Sequence, residues 1–190
     1  SGFLLLPGSR DGEINRNLNE MTLARKWVQQ AHPNLNQTLA AAPGRMNLVK
    51  RLLQDTDIQI GEGREKFKQF VAGAHAAIAV SGTVTLELGF AGVPHVTTYL
   101  AEAKQIKNYE ANGRPLINLN NIIVGRKFVP EVIGERALGA EILQETQNLL
   151  DSDKQMNLQR EGFEEMRAKM QNGEPEAPRQ NVADRILSLV

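Results

Sequence analysis

Apolar residues fall along this chain in two alternating rhythms. Phe3-Leu4-Leu5-Leu6 and Ala76-Ala77-Ile78-Ala79-Val80 are unbroken runs of strand length, as expected for strands covered on both faces. Other apolar positions recur at helical spacing: Ile14, Leu18, Met21 and Val28; Met46, Val49, Leu52 and Leu53; Phe67, Phe70 and Val71. Residues 37–42, 57–61 and 95–99 read as further strands, and Leu116–Leu119 as the last one. Ile106 and Tyr109 mark a short polar-faced helix, and residues 120–134 read as irregular. From Leu138 onward the spacing is helical, through Ile142 and Leu149, then Met156, Phe163, Met166 and Met170, then Val182, Ile186 and Leu189. Asn172 to Pro178 reads as a linker between the last two helices. Strands alternating with helices predict an α/β fold built on a doubly wound parallel sheet, with a helical C-terminal tail.

In such a sheet, ligands bind outside the carboxyl ends of the strands. Two turns follow strands and should lie on that edge. The first, Pro7-Gly8-Ser9-Arg10, leads into a helix with Glu13 in its first turn, where a carboxylate complements the helix dipole. The second, Ser81-Gly82-Thr83, leads into a helix carrying Glu87 about one turn further on. A helix starting at such a turn directs unpaired N–H groups and its positive dipole end at the turn. Gly82 lets an anion approach the backbone, and the hydroxyls of Ser81 and Thr83 can cap the helix or bond a phosphate oxygen. Glu87 is placed to accept from sugar hydroxyls. The second turn alone reads equally as an ordinary crossover; the two together point to a phosphorylated ligand.

Composition narrows the field. Lys+Arg and Asp+Glu number 22 each, so bulk charge favours no nucleic-acid partner. With no cysteine there is neither disulfide nor thiolate chemistry, and a reducing cytoplasm is compatible. No apolar run has the ~18 residues of a membrane span. The chain opens on Ser1-Gly2 and enters a strand at once, which reads as a piece of a longer protein. His32, His75 and His95 read as structural rather than catalytic. Trp27 and the methionines read as packing, and Glu161, Glu164 and Glu165 as a solvated helix face.

Three blocks carry a resemblance. Leu4-Leu5-Leu6-Pro7-Gly8-Ser9-Arg10 with Glu13-Ile14, then Ser81-Gly82-Thr83 with Thr85-Leu86-Glu87 and Gly92-Val93-Pro94, then Asn121-Ile122-Ile123 with Gly125-Arg126 and Pro130-Glu131, stand in the order found in the C-terminal half of bacterial lipid-A-disaccharide synthases. The resemblance implies the Rossmann-like C-terminal domain of the glycosyltransferase B fold. Residues 1–150 would form the UDP-sugar-binding domain, and 151–190 helices packing on or crossing from it. The implied reaction joins UDP-2,3-diacylglucosamine to 2,3-diacylglucosamine 1-phosphate with inversion.

On that resemblance, Arg10 grips the diphosphate and stabilises the leaving UDP. Gly8, Ser9, Ser81, Gly82 and Thr83 bind phosphate, and Glu87 holds the ribose hydroxyls or orients the turn. Asn121 helps position nucleotide or sugar, with Glu131 supporting its loop. No metal or other cofactor is expected. The acylated acceptor and the general base would belong to an N-terminal half, so this chain alone is expected to bind the donor weakly and turn nothing over. The resemblance also implies a homodimer and a cytoplasmic location, with peripheral contact at the inner membrane. Three positions depart from the family pattern: Leu100, Asn120 and Gly134, where arginine, proline and glutamine are usual. The segment after Tyr99 is polar here rather than aromatic. Alternatives are another B-fold enzyme acting on UDP-N-acetylglucosamine, or a non-catalytic nucleotide-sugar-binding module.

Overall fold

The structure, a computed structural model, describes residues 1–53 and 57–171. Six strands form one sheet: β1 (Gly2–Leu6), β2 (Asn36–Ala41), β3 (Gln59–Glu62), β4 (Ala74–Val80), β5 (His95–Leu100) and β6 (Glu131–Gly134). Their spatial order is β3-β2-β1-β4-β5-β6, and every pairing is parallel. The chain steps outward from β1 to β3, then crosses back to β4, so the winding reverses between β1 and β4.

The continuous apolar runs are split by the pleat. Phe3, Leu5, Ile78 and Val80 pack toward α1 (Asp11–Ala31) and α7 (Gly139–Leu150), where Ile14, Leu18, Met21 and Ile142 meet them. Leu4, Leu6, Ala77 and Ala79 face the other layer, against Phe70 and Val71 of α3 (Arg64–Gly73) and Leu88 of α4 (Thr83–Phe90). Each strand thus feeds two cores, which is why alternation is absent from its sequence.

One expected strand is corrected. Residues 116–119 do not pair in the sheet; they lead into α6 (Leu119–Val124). Asn118 is its N-cap, with Oδ1 accepting from the N–H groups of Asn120 at 2.8 Å and Asn121 at 3.4 Å. The Ile117 and Asn118 N–H groups donate to the Glu131 carboxylate instead of a neighbouring strand, at 3.1 and 2.8 Å. The sixth strand lies in the stretch that reads as irregular. At four residues, starting just after Pro130, β6 is too short to show a period, and it sits at the sheet edge where short strands are tolerated.

The smaller α2 (Met46–Leu53) and α5 (Ala103–Ala111) complete the layers, and α5 buries no residue. The final described helix, α8 (Asp153–Gln171), packs on α4, α6 and α7. Phe163 stacks on His95 with centroids 5.6 Å apart and meets Phe128 edge-on at 5.4 Å. Near its end, Arg167 Nη1 donates to the Gly89 carbonyl at 2.8 Å and Lys169 Nζ to the Val124 carbonyl at 2.6 Å. These cations bond carbonyls at the C-termini of α4 and α6; the Gly89 carbonyl also accepts from the Gly92 N–H at 3.1 Å. The expected linker at 172–178 and the helix through Val182, Ile186 and Leu189 lie outside the described residues.

Candidate donor-binding site

At the switch point the carboxyl ends of β1 and β4 open a cleft of about 390 Å³. Both predicted turns reach it. Gly8 and Ser9 line one side; Ser81, Gly82, Thr83 and Glu87 line the other. The structure thus brings these six residues to one cleft.

The two turns differ in what their peptide groups do. In the first, Glu13 forms a capping box with Arg10. Its Oε2 accepts from the N–H groups of Ser9 at 3.2 Å and Arg10 at 3.3 Å, and its Oε1 accepts from Arg10 Nη1 at 2.7 Å. Gly8, at φ +108°, wraps this carboxylate so closely that a Cβ there would stand 3.0 Å from Glu13 Cβ and Oε2. Partial burial pushes the Glu13 carboxyl up, but the Ser9 and Arg10 N–H groups and the Arg10 guanidinium outweigh it and hold it below its ordinary value. Arg10 does not itself line the cleft; its side chain is 83% exposed at the rim, tethered to Glu13.

In the second turn the peptide groups are open. Gly82 adopts φ +154°, and no side chain caps α4. Ser81 is occupied: its N–H donates to Thr98 O at 3.0 Å, and its hydroxyl donates to Ile117 O at 2.8 Å. The N–H groups of Gly82, Thr83 and Val84 find no acceptor among the described residues, and all three residues line the cleft. Three free donors at the positive end of a helix suit an anion of phosphate size.

Asn121 and Glu131 lie behind this site and do not line the cleft. Asn121 is fully buried, and its amide serves its own loop. Nδ2 donates to Val129 O at 2.8 Å and to Glu131 Oε1 at 2.9 Å, while Oδ1 accepts from the Phe128 and Val129 N–H groups. Glu131 holds residues 117 and 118, and the 117 carbonyl holds Ser81. These two residues therefore connect to the cleft through the backbone of the Ile117 segment.

Other walls escaped sequence reasoning. Ala40 to Pro43, at the end of β2 and just after it, and Gly63, Arg64 and Phe67, following β3, also line the cleft. They belong to the same sheet edge, a placement that strand order alone could have signalled. At the opposite edge, a larger groove of about 720 Å³ runs between α7 and α8. Its lining joins neutral amides such as Gln144, Asn148 and Gln155 to the carboxylates of Glu145 and Asp151, with no lysine or arginine among them, and Gln159 is spent on the His95 backbone, so it suits an anion less well than the cleft. Among the described residues no three His, Cys, Asp or Glu side chains gather to hold a metal ion, and no helix is long and apolar enough to cross a membrane.

Of the three departures from the expected family pattern, two have a visible packing reason. Asn120 is buried against the bare backbone of Gly89. The space a Cβ at Gly134 would enter is filled by Leu138, 2.8 Å away. Leu100 is buried at the end of β5, where its N–H donates to Asn17 Oδ1 at 3.3 Å.

Known proteins resemble this chain in sequence and in fold. The chain is 31% identical to a lipid-A-disaccharide synthase of Rhodopseudomonas palustris over 99% of its own length and 48% of the relative's. It is 29% identical to that of Geobacter metallireducens over 89% and 44%. It spans about half the length of the curated relatives it matches. The crystal structure of WaaG, a glycosyltransferase involved in lipopolysaccharide biosynthesis, superposes on 97% of the chain and 46% of its own, with a TM-score of 0.54 at 16% identity, a likeness of fold. The family profile for lipid-A-disaccharide synthetase matches residues 2–184, and the chain belongs to that family.

Proposed function

We propose that this chain is the donor-binding half of an inverting glycosyltransferase of lipid A biosynthesis. The donor would be UDP-2,3-diacylglucosamine and the acceptor 2,3-diacylglucosamine 1-phosphate. The observation carrying this reading is the set of unpaired N–H groups at Gly82, Thr83 and Val84, which open into a switch-point cleft with Arg10 at its rim. There the diphosphate would sit against the α4 terminus. The Arg10 guanidinium would offer a second set of donors and stabilise the charge that grows on UDP as the glycosidic bond forms. Glu87, exposed on the cleft wall one turn into α4, would accept from ribose hydroxyls. No metal is needed where a guanidinium and oriented amides neutralise the leaving group. The acceptor and the general base would be supplied by an N-terminal half, in the cytoplasm at the inner-membrane surface, and the working enzyme would be a homodimer.

Calorimetric titration of this chain with UDP tests the reading. Saturable binding is expected, weakened about tenfold or more by Arg10→Ala, the equivalent of losing a charged hydrogen bond. Absence of UDP binding to the folded wild-type chain would remove the proposal. Mixed with donor and acceptor, the chain alone should yield no disaccharide. The Leu138 side chain over Gly134 favours one second reading, a nucleotide-sugar-binding module without turnover. Joining a family N-terminal half to this chain separates the two: disaccharide formation supports the transferase, and its absence supports the module.

A further inference from the structure

The first turn holds an anion site that the chain fills itself. Two peptide N–H groups, of Ser9 and Arg10, converge on one Glu13 oxygen, and the Arg10 guanidinium takes the other. The Glu13 side chain is only 15% exposed, whereas that of Arg10 is 83% exposed. Gly8 folds around the carboxylate with no room to spare. A phosphate therefore finds no free backbone donor at Ser9 or Arg10. What this turn still offers is the part of the guanidinium not bonded to Glu13, since arginine carries five N–H donors and Glu13 engages one terminal nitrogen.

We infer that Glu13 is a positioning residue for donor binding: it consumes the peptide donors of the first turn and tethers Arg10, so that the diphosphate is held by the free edge of that guanidinium on one side and by the 82–84 amides on the other. This deepens the donor-site reading and rests on it. The charges of Glu13 and Arg10 cancel locally, so the pair contributes geometry more than net charge. An untethered arginine at 83% exposure would sample many rotamers and lose side-chain entropy on gripping phosphate. Glu13 removes that cost in advance.

The test is a double-mutant cycle on the whole 190-residue chain with Glu13→Gln, Arg10→Ala and the double variant. UDP and uridine affinities are both read, from amide NMR shifts. Glutamine keeps an oxygen for the Ser9 and Arg10 N–H groups but loses the ion pair. Glu13→Gln is expected to weaken UDP about fivefold, to leave uridine unchanged, and to have no further effect once Arg10 is alanine. A role in folding alone would lower both affinities and act equally in either background, and that result would overturn the inference. So would tighter UDP binding by Glu13→Gln, which would make the carboxylate a competitor of the phosphate. Should the glutamine variant not fold, Glu13→Asp keeps the charge at a shorter reach and carries the same expectations. A wild-type chain that ignores UDP removes the donor reading and this inference together. UDP binding that is indifferent to Glu13 removes only the inference.

Discussion

Acidification from pH 7 to pH 4 is expected to cost this chain about 3 kcal/mol of stability through His95 alone. His95 is fully buried at the start of β5, stacked on Phe163. Asn118 Nδ2 donates to Thr97 Oγ1 at 2.7 Å and to His95 Nε2 at 3.0 Å, which fixes Nε2 as the acceptor. The proton then sits on Nδ1, donated to the Val93 carbonyl at 3.0 Å. Burial pushes the imidazole down to about 4, against a smaller upward pull from that carbonyl. Protonating Nε2 would set it against an amide N–H. Turning the Asn118 amide over would in turn withdraw Oδ1 from the start of α6, where it serves both backbone N–H groups and Asn120 Nδ2.

Because the folded pKa lies below the unfolded one, the stabilisation is whole above pH ~6.5, where neither state is charged, and is lost as pH falls through about 4. Urea unfolding at pH 7, 5.5 and 4.5 checks this against His95→Gln, which is less stable at neutral pH but lacks the titration. The wild-type curve should fall more steeply below pH 6.5. Parallel curves would show that His95 carries none of the acid sensitivity.

Gly89→Ala is expected to destabilise the fold by about 3 kcal/mol or more. Helix propensity alone predicts the opposite sign, since alanine replaces glycine within α4, worth about 0.5–1 kcal/mol in alanine's favour. The reversal comes from Asn120, whose side chain occupies the place of a Cβ at Gly89. That amide is buried, donating to Thr85 O at 2.8 Å and Asn118 Oδ1 at 3.0 Å, so it cannot move aside without breaking the network that starts α6. The Gly89 carbonyl also receives Arg167, so α4, α6 and α8 all meet there. Thermal and urea unfolding give the magnitude. Gly12→Ala is the control: a Cβ there meets only the end of the Arg16 side chain at 3.5 Å, and a gain of about 0.5 kcal/mol is expected. Adding Asn120→Ala to Gly89→Ala should cost less than the sum of the two. Strict additivity would place the strain elsewhere.

The residue pattern by itself determined the alternation of strands and helices and the sheet edge on which the candidate cleft lies. Phe3–Leu6 and Ala76–Val80 are apolar throughout because both faces of their strands are covered, and that demand is written in each residue independently. The turns at Gly8 and Ser81–Thr83 follow those strands directly, so strand direction alone put them on one edge. Tertiary structure decided what depends on partners distant along the chain. The strand Glu131–Gly134 exists because β5 offers it an edge, and Leu116–Leu119 fails to be one because Glu131 and Asn118 take its hydrogen bonds. Arg64 and Phe67 join the cleft only through strand order. Whether a polar group faces a ligand or the protein's own backbone is likewise settled by geometry: Glu13 closes the first turn, Asn121 turns inward, and Gly82, Thr83 and Val84 are left open. Periodicity records burial one residue at a time, whereas a hydrogen bond needs two atoms brought within about 3 Å, and only the folded chain brings them there.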